Sequence, residues 1–435
     1  MPYLLNAFYL CLLAVVSPWL IHQSLRCGKY RDGWREKLWG MAPVRDAGRP
    51  RAWFHAVSVG EVNALAPLLD EFSKRRPDWE CVISTTTQTG FAQAKRAYPD
   101  RVVFYCPLDF SWAVRAAMAR IKPNLLVLME LELWPNLIRA AKDSGASVAI
   151  VNGRLSDGSF RGYRRFRSLL ASTVARVDVV AAQTRQYAER FQFLGAEPVR
   201  VVGSLKFDGA QTDRDNPGTT RLRDMAGMQA RDVVMLAGST QAPEESLALE
   251  TFLQLRDDHP ELRLVIVPRH PERFEEVAGM LDRAQVAWRR RSQLPTALRA
   301  PEQEPRVLLV DAMGELAMWW GAATIAYVGG SMGDRQGQNM IEPAAYGAAV
   351  SFGPKTANFR DVVSSLLQAG AAEVVRDQDE LIAFARRCLK DPSHAARLGA
   401  AARRLATEGQ GAAARTMDLL DELSGTLPVR RRRAA

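Results

Sequence analysis

The feature that most constrains this chain is the repeated alternation of short β-branched segments with stretches of helical periodicity. Six such segments lie in the first half, at residues 52–55, 81–84, 102–105, 125–129, 148–152 and 177–181. Five more lie in the second half, at residues 233–237, 264–267, 307–311, 324–328 and 349–352. Strands that alternate with helices form parallel, doubly wound sheets. The pattern therefore predicts an α/β protein with two Rossmann-like halves.

A polar segment separates the two series of strands. Residues 208–220, DGAQTDRDNPGTT, have the Gly, Pro, Asp and Thr content of an exposed linker. A chain of 435 residues also exceeds what one hydrophobic core usually organises. We predict an N-terminal domain over residues 26–209 and a C-terminal domain over residues 210–425. Because ligands bind at the carboxyl ends of parallel strands, the two domains are expected to face a central cleft.

The N-terminus is apolar. Residues 3–21 carry no charge and are about as long as a bilayer-spanning helix. Basic residues follow at Arg26, Lys29, Arg31, Arg35 and Lys37. By the positive-inside rule, residues 1–25 are predicted to anchor the chain in a bacterial inner membrane, with the remainder on the cytoplasmic side. A cleaved signal peptide fits less well, because no basic region precedes the apolar run. Asn6 and Pro18 leave open a helix that lies in the membrane interface.

The charge balance indicates anionic partners. The chain has 58 Lys and Arg residues against 48 Asp and Glu residues, a net charge of +10. Such a balance favours phosphorylated lipids, anionic membrane surfaces or nucleic acid. No basic and aromatic residues interleave as in a nucleic-acid recognition motif, so nucleic acid is not a predicted partner. A basic tail over residues 426–435 is expected to touch anionic headgroups.

Loops after the predicted strands carry the candidate functional residues. In the first domain, Ser58, Gly60 and Glu61 follow the opening strand, and Glu61 lies where a helix begins. The helix dipole stabilises a carboxylate there, so Glu61 is expected to be ionised and able to accept a proton. An ordinary first-turn helix residue is the simpler interpretation.

In the second domain, Pro268 and Arg269 follow a strand, and a guanidinium can bind phosphate oxygens in a bidentate way. An ion pair on the surface is the alternative for Arg269. Met313, Gly314, Glu315 and Leu316 follow the next strand. A glycine-rich segment at residues 329–333 then leads to Asn339, Met340, Ile341 and Glu342. The glycine loop predicts backbone amides for a phosphate, and Glu342 an acceptor for ribose hydroxyls. Because this loop comes late in its domain, a nicotinamide-dependent oxidoreductase is not predicted.

Eight ordered motifs resemble those of the Kdo (3-deoxy-D-manno-octulosonic acid) transferase family, over residues 30–410. They are HAVSVGE at 55–61, STTTQTG at 84–90, ELELWPN at 130–136, NGRLS at 152–156, GSLKFD at 203–208, PRHP at 268–271, MGEL at 313–316 and NMIE at 339–342. The resemblance implies a GT-B fold and an inverting transfer of Kdo from CMP-Kdo to lipid IVA, the lipid A precursor. It implies neither a metal nor a cofactor, since CMP-Kdo is a substrate.

The resemblance also implies residue roles. Glu61 is expected to be the general base. The CMP contacts are expected at Pro268, Arg269, Met313, Gly314, Glu315, Leu316, Asn339, Met340, Ile341 and Glu342. Glu130 and Glu132 are expected on the acceptor side together with Ser58 and Gly60, and the basic cluster that includes Arg161 and Arg164 is expected to meet the lipid phosphates or to be a solvated helix face.

One motif departs from the family pattern. Gln241 stands in GSTQAPEE, residues 238–245, where the family usually has His. Gln can donate a hydrogen bond to the donor substrate but cannot become cationic, so we expect activity with altered donor affinity. The alternatives are a GT-B enzyme that uses another sugar nucleotide, a UDP-sugar epimerase included, and a non-catalytic membrane-associated nucleotide binder.

Overall fold

The computed structural model of the chain describes residues 2–27, 32–45, 48–294 and 305–425. The chain forms two compact units, the first comprising Met1–Gly209 and Gln410–Ala435, the second Ala210–Gly409. Each unit contains its own parallel sheet with helices, as the strand alternation predicts. The α/β class with two Rossmann-like units is therefore confirmed. The predicted basic tail at residues 426–435 lies outside the described residues.

Among the described residues, the first unit contains seven strands, the ten helices that precede residue 200 and one helix near the C-terminus. Its strands are β1 (Arg51–His55), β2 (Glu80–Thr85), β3 (Val102–Tyr105), β4 (Leu125–Met129), β5 (Ser147–Gly153), β6 (Val179–Ala182) and β7 (Val199–Val201). Its helices are α1 (Pro2–Cys27), α2 (Trp34–Trp39), α3 (Val59–Ala64), α4 (Ala66–Arg75), α5 (Gln88–Ala97), α6 (Ser111–Ile121), α7 (Pro135–Asp143), α8 (Asp157–Arg165), α9 (Arg167–Val174), α10 (Arg185–Phe193) and α19 (Ala412–Gly425).

The sheet of the first unit has the strand order β3-β2-β1-β4-β5-β6-β7, with parallel pairs throughout. Alternate residues of each strand enter two separate apolar clusters. Trp53 lies in one cluster, and Ala52 and Phe54 lie in the other. Helices cover both faces of a doubly wound sheet. Its strands are therefore apolar along their length, and polar residues do not alternate with apolar ones.

The second unit repeats this architecture. Its strands are β8 (Val233–Thr240), β9 (Leu262–Pro268), β10 (Trp288–Arg290), β11 (Val307–Leu309), β12 (Ile325–Val328), β13 (Ala349–Phe352) and β14 (Ala372–Val374). Its helices are α11 (Pro217–Met225), α12 (Glu244–Leu255), α13 (Phe274–Arg283), α14 (Leu316–Trp319), α15 (Ile341–Ala345), α16 (Arg360–Gln368), α17 (Gln378–Lys390) and α18 (Pro392–Gly409). The strand order is β10-β11-β9-β8-β12-β13-β14, again parallel.

Each sheet has one point where the direction of chain progression reverses. In the first unit this point lies between β1 and β4, and in the second it lies between β8 and β12. Loops at the carboxyl ends of the two strands diverge there, and open α/β sheets bind their ligands in the resulting crevice. The loops that follow these four strands therefore define where each unit is expected to bind its ligand.

The assignment of residues 410–425 to the second domain is wrong. Helix α19 returns to the first unit, where Ala412, Met417 and Leu420 are buried in the same apolar cluster as Phe54. Asp208 explains the return, because its carboxylate accepts the backbone N–H groups of Gly411, Ala412 and Ala413 at the start of α19. A distant carboxylate caps this helix, which the local sequence does not show.

The predicted linker at residues 208–220 is only partly irregular. Asn216 caps helix α11, which already begins at Pro217. Three short strands, β7, β10 and β14, were not predicted, because each has three residues and lies at or beside a sheet edge. Such segments are too short for a hydrophobic period to be distinguished from a loop.

The N-terminal helix α1 contacts the first unit through polar side chains near its start. Asn6 is buried, donates to the Ser111 hydroxyl and accepts the Ser111 backbone N–H. Tyr9 donates to the Asp109 carboxylate at 3.2 Å. Within α1, Leu5–Arg26 is long and apolar enough to cross a membrane, with a mean hydropathy of 1.6. Composition of this kind is weak evidence for a span when it occurs once, near an N-terminus.

Candidate functional site

Glu61 lies in the first turn of α3, the helix that follows β1 at the switch point of the first sheet. Ser58 caps α3 and accepts the Glu61 backbone N–H, while its hydroxyl donates to Glu61 Oε1 at 2.8 Å. Glu61 Oε2 accepts the Val57 backbone N–H at 2.9 Å. Glu61 is thus a first-turn helix residue, and the bonds from Val57 and Ser58 fix its carboxylate in one orientation.

Burial has the largest effect on the ionisation of Glu61. It raises the pKa of the carboxyl above its ordinary value, the negative charge of Glu130 raises the pKa further, and the bonds from Val57 and Ser58 lower it. A raised pKa makes the carboxylate a stronger base than an exposed glutamate, which suits a group that removes a proton. Gly60 lies in the same turn and is exposed.

Glu130 and Glu132 lie on the other side of the same switch point, directly after β4. Glu130 has a positive φ of 54°, which is uncommon for a residue other than glycine and often marks a functional loop. Glu132 accepts a hydrogen bond from the Trp134 indole at 2.7 Å. Burial raises the pKa of Glu132 to about 7, and the charges of Glu61 and Glu130 raise it as well. The structure thus brings together the three carboxylates that the sequence analysis placed at the catalytic and acceptor sites.

His55 adds a neutral imidazole to this group. The ring is fully buried, and burial lowers the pKa of His55 to about 4. Nδ1 lies 2.9 Å from the Ser84 hydroxyl, and Nε2 lies 4.0 Å from Glu132 Oε2. Nε2 has no hydrogen-bond partner. His55 belongs to the motif at residues 55–61, which predicts no role for it, because its burial becomes apparent only in the folded sheet.

In the second unit, Arg269, Asn339 and Glu342 form one group. Pro268 ends β9, and the exposed Arg269 follows it, with its backbone N–H bound to Thr240 O. Asn339 donates to Glu342 Oε1 at 2.9 Å. Burial raises the pKa of Glu342, while the Asn339 bond and the nearby Arg269 charge lower it. A cation and a carboxylate that are close enough to interact suit a phosphate and the hydroxyls of a ribose.

Two of the predicted donor contacts are limited to the backbone. The side chains of Met340 and Ile341 are buried in the core of the second unit, with exposed fractions of 0% and 1%. The Ile341 N–H is already bound to the Asn339 side chain at 3.1 Å. The buried Met340 and Ile341 therefore hold Asn339 and Glu342 in position, and their own side chains do not contact a ligand.

The segment from Met313 to Leu316 is exposed to solvent at its start and held by an ion pair near its end. Met313 is 56% exposed, and Gly314 has a φ of +87°, with nothing within 4 Å of the position a Cβ would take. Glu315 is not free, because Arg291 binds its carboxylate with two hydrogen bonds of 2.8 Å. Leu316 begins helix α14. A ligand can approach the backbone at Gly314, whereas Glu315 fixes the loop.

The glycine loop after β12 does not offer its amides to a phosphate. The backbone N–H groups of Gly330, Ser331 and Met332 all bind the carboxylate of Glu244, which is fully buried. The prediction that these amides serve the phosphate is therefore wrong for these three groups. The Glu244 carboxylate thus occupies the position at which a phosphate was expected. The sequence did not predict this contact, because it joins residues 86 or more positions apart.

Gln241, the residue that departs from the family motif, lies at the end of β8 on the switch point of the second sheet. Its backbone N–H binds Glu244 Oε2, but its side-chain Nε2 is buried and has no hydrogen-bond partner. An unpaired buried donor is costly, and it commonly marks a place where a ligand binds. Gln241 is thus a candidate donor-site residue that supplies an N–H.

The predicted basic cluster lies on α8. Arg161 and Arg164 are exposed, and neither forms an ion pair with a residue that the structure describes. The helix also carries Tyr163, whose pKa is raised by burial and by the charge of Glu132. The cluster therefore lies on the helix that adjoins the Glu132 loop.

Among the described residues, no three or more His, Cys, Asp or Glu side chains are arranged to bind a metal ion. Asp-x-Asp spacings occur at residues 213–215 and 377–379. Asp377 caps α17, and Asp213 accepts the backbone N–H of Asp215. In these two places the spacing serves local backbone structure.

Comparison with known proteins gives the family. The family model described as 3-deoxy-D-manno-octulosonic-acid transferase (kdotransferase) matches residues 32–209. The 3-deoxy-D-manno-octulosonic acid transferase of Bordetella pertussis is 34% identical, over 94% of this chain and 96% of that protein. The enzyme of the same name from Haemophilus influenzae is 32% identical, over 95% of this chain and 97% of that protein. The chain belongs to the Kdo transferase family. The prediction from the eight motifs is confirmed, and the protein is a glycosyltransferase.

A solved structure extends the fold comparison. UDP-GlcNAc 2-epimerase from Neisseria meningitidis, bound to UDP-GlcNAc, matches 86% of this Kdo transferase chain and 100% of the epimerase, with a TM-score of 0.55. The two sequences are 11% identical, so the likeness concerns the fold alone. It confirms the predicted GT-B class of two Rossmann-like domains.

Proposed function

We propose that this protein transfers Kdo from CMP-Kdo to a hydroxyl group of lipid IVA, the phosphorylated lipid A precursor, in lipopolysaccharide biosynthesis. The transfer inverts the anomeric carbon, and Glu61 is the general base. The observation that carries this proposal is the fixed and partly buried carboxylate of Glu61, at the sheet switch point of a Kdo transferase family member.

The reaction needs one base and one leaving group. The acceptor hydroxyl gives its proton to a Glu61 oxygen while its own oxygen forms a bond to the anomeric carbon of Kdo. The bond from that carbon to the CMP phosphate oxygen breaks, and CMP leaves with the electron pair. Each Glu61 oxygen already accepts one hydrogen bond and retains a second lone pair for the proton. A single displacement of this kind inverts the anomeric centre.

Glu132 is proposed to bind the acceptor. With a pKa of about 7, its carboxyl is partly protonated at neutral pH and can either donate to or accept from a sugar hydroxyl. The Trp134 bond fixes its orientation. Glu130 and the buried, neutral His55 lie beside Glu132.

The second unit is proposed to bind CMP-Kdo. Arg269 contacts the single phosphate, Glu342 and Asn339 contact the ribose hydroxyls, and the backbone at Gly314 contacts the nucleotide. Gln241 donates its unpaired N–H to the phosphate or to the Kdo carboxylate. A guanidinium and neutral donors can stabilise one phosphate, and we propose that transfer requires no divalent cation.

The proposal is tested by a turnover assay in detergent with CMP-Kdo and lipid IVA, with products resolved by mass spectrometry. Glu61→Gln keeps one oxygen that can accept the Val57 N–H, and its amide N–H can donate to the Ser58 hydroxyl oxygen, but it removes the base, so we expect turnover to fall by about 10²–10⁴-fold. The exposed helix variant Lys74→Gln is the control and should match the wild type. A folded wild type that releases no CMP and adds no mass to lipid IVA would falsify the transferase proposal.

The same assay with UDP-GlcNAc in place of CMP-Kdo separates the alternative donor from the proposed one. The mass increment on lipid IVA reports how many Kdo units are added.

We also propose that α1 holds the enzyme at the cytoplasmic face of the inner membrane, in the membrane interface. The hydrogen bonds of Asn6 and Tyr9 keep the start of α1 against the first unit, and Arg26 lies near its other end. If α1 crossed the bilayer perpendicular to its plane, the start of the helix and Arg26 would lie on opposite sides of the membrane. The exposed Phe8, Val15 and Trp19 instead offer an apolar surface to the lipid.

Extraction of membranes tests this arrangement. Sodium carbonate at high pH releases interfacial proteins and retains membrane-spanning ones, so we expect the wild-type chain in the supernatant. A chain that remains in the carbonate-washed pellet would show that α1 spans the bilayer. A chain that is soluble without any membrane treatment would contradict both arrangements.

A further inference from the structure

The first unit contains a cavity of about 660 Å³ whose lining does not include Glu61. Its volume lies in the range of about 300–1,000 Å³ that is typical of sites for small organic ligands. Apolar side chains from α1, from the segment after Glu132 and from the region of α8 and α9 line it, namely Leu5, Tyr9, Leu133, Tyr163, Phe166 and Leu170. A lining of this composition suits a hydrocarbon chain.

The cavity adjoins the group of carboxylates. Leu133 and Pro135, which line it, directly follow Glu132 in the loop after β4. Tyr163, which also lines the cavity, lies close enough to Glu132 for the two groups to interact electrostatically. A ligand that fills the cavity can therefore extend to the place where Glu132 and Glu61 meet a hydroxyl group.

Cationic side chains also line this apolar cavity. Arg139 and Arg176 are both exposed at its wall. Arg139 pairs only with Asp143, at 3.5 Å on the surface of α7, and Arg176 forms no ion pair with any residue in the described part of the chain. An apolar cavity with two available guanidinium groups matches a ligand that joins a hydrocarbon chain to a phosphate.

The helix α1 forms one wall of this cavity, and Asp109 connects that wall to the loop of Glu132. Asp109 accepts the Tyr9 hydroxyl and also the backbone N–H groups of Asn136 and Leu137 at the start of α7. The wall that α1 supplies is thus fixed to the segment that leads from Glu132 into α7.

We propose that this cavity binds an acyl chain of the lipid acceptor, with Arg139 and Arg176 near an acceptor phosphate, and so positions the acceptor hydroxyl at Glu61. The identity of the lipid rests on the proposed function. Each methylene that enters the cavity is expected to improve acceptor affinity by roughly fourfold. The cavity then makes the enzyme selective for acylated over deacylated acceptors, and α1 becomes part of the acceptor site.

Two glycines of α8 provide a matched pair of variants. Gly162 lines the cavity and Gly158 does not, although both are exposed and neither has a heavy atom within 4 Å of the position a Cβ would take. Gly162→Leu therefore places a side chain at the cavity wall without a clash at Cβ, and Gly158→Leu makes the same change one turn earlier. Both changes favour the helix.

The variants are assayed with tetra-acylated lipid IVA and with the same glucosamine disaccharide bisphosphate from which all acyl chains have been removed. Gly162→Leu is expected to lower kcat/KM for the acylated acceptor by about tenfold or more, and to change kcat/KM for the deacylated acceptor by less than about twofold. Gly158→Leu should leave both values within about twofold of the wild type. An equal loss on both acceptors, or no loss on either, would overturn the proposal.

A second measurement does not depend on turnover. Lipid IVA with a diazirine at the end of its acyl chains is photo-crosslinked to the full chain in detergent, and labelled peptides are identified by mass spectrometry. Label on the segment from Tyr163 to Leu170, lost in Gly162→Leu and kept in Gly158→Leu, supports the acyl site even if the wild type transfers no sugar. In that case the transferase proposal alone would fail. Label confined to other segments overturns the acyl site whatever the turnover assay shows.

Discussion

At the scale of single residues, the ionisation of Glu132 links the candidate site to the stability of the fold. Burial and two neighbouring carboxylates raise the pKa of Glu132 to about 7, whereas an unfolded glutamate titrates near 4.5. The folded protein therefore holds a proton that the unfolded chain releases as pH rises between these values. Functional sites often retain such unfavourable groups because their chemistry requires them.

We predict that the free energy of unfolding of the first unit falls by an amount on the order of 3 kcal/mol between about pH 4.5 and pH 7 because of Glu132. Glu132→Gln keeps an oxygen for the Trp134 bond but cannot ionise, so it should lack this fall. The variant is then more stable than the wild type above pH 7, and the difference disappears below about pH 4.5. Hydrogen exchange of first-unit peptides in urea measures both chains across the pH range.

Asp143→Asn, a change at an exposed carboxylate of α7, is the control and should follow the wild type at each pH. A difference between Glu132→Gln and the wild type that stays constant with pH would show that Glu132 does not titrate as described.

Gln241 leads to a second prediction at this scale. Its buried Nε2 lacks a partner in the protein alone, and a ligand acceptor would satisfy it. Gln241→Met removes the N–H while keeping the length of the side chain. We expect the ligand-free protein to gain about 1 kcal/mol of stability and the KM for CMP-Kdo to rise about tenfold. Thermal unfolding without ligand and steady-state kinetics provide the two readouts.

An unchanged acceptor KM is the internal control for Gln241→Met. If stability and donor KM both stay the same, Gln241 does not contact the donor, and its unpaired Nε2 does not destabilise the ligand-free protein.

At the scale of elements, Asp208 decides where the last helix lies. Its carboxylate accepts the first backbone N–H groups of α19, and α19 packs its buried side chains in the core of the first unit. Asp208→Ala leaves these N–H groups without an acceptor, so we predict a loss of about 2 kcal/mol in the unfolding free energy of the first unit. Urea unfolding followed by hydrogen exchange of α19 peptides tests this.

Asp208→Asn retains one side-chain oxygen and should lose less than half as much stability as Asp208→Ala. Equal losses in the two variants would indicate that charge, rather than an acceptor oxygen, holds α19 in place.

The sequence predicted the elements whose signals are local. β3, β4 and β13 begin and end at the predicted residues, because short apolar runs bounded by turn or polar residues indicate buried strands. The helix start at Glu61 is likewise local. The Glu244 contacts with the glycine loop and the Asp208 cap were not predicted, since each joins segments more than 80 residues apart. Side chains that bind distant backbone groups leave no periodic signal in the sequence.

At the scale of the whole molecule, the two units divide the chemistry between them. The Glu61, Glu130 and Glu132 group lies in the unit formed by Met1–Gly209 and Gln410–Ala435, and the Arg269, Asn339 and Glu342 group lies in Ala210–Gly409. Each unit has its own buried apolar clusters. A ligand that binds only one unit should therefore stabilise that unit directly. Binding to the native state adds the binding free energy to the free energy of unfolding of that unit.

This division leads to the last prediction. CMP at about 100 times its dissociation constant should raise the free energy of opening of second-unit peptides by about 2.7 kcal/mol, as measured by hydrogen exchange. First-unit peptides such as those of β1 should change by less than about 0.5 kcal/mol, because their core contains no proposed CMP contact. Arg269→Ala should reduce the protection of the second unit, since the phosphate loses its guanidinium. Equal protection of both units would mean that CMP also contacts the first unit, and the proposed assignment of the donor to the second unit alone would then be wrong.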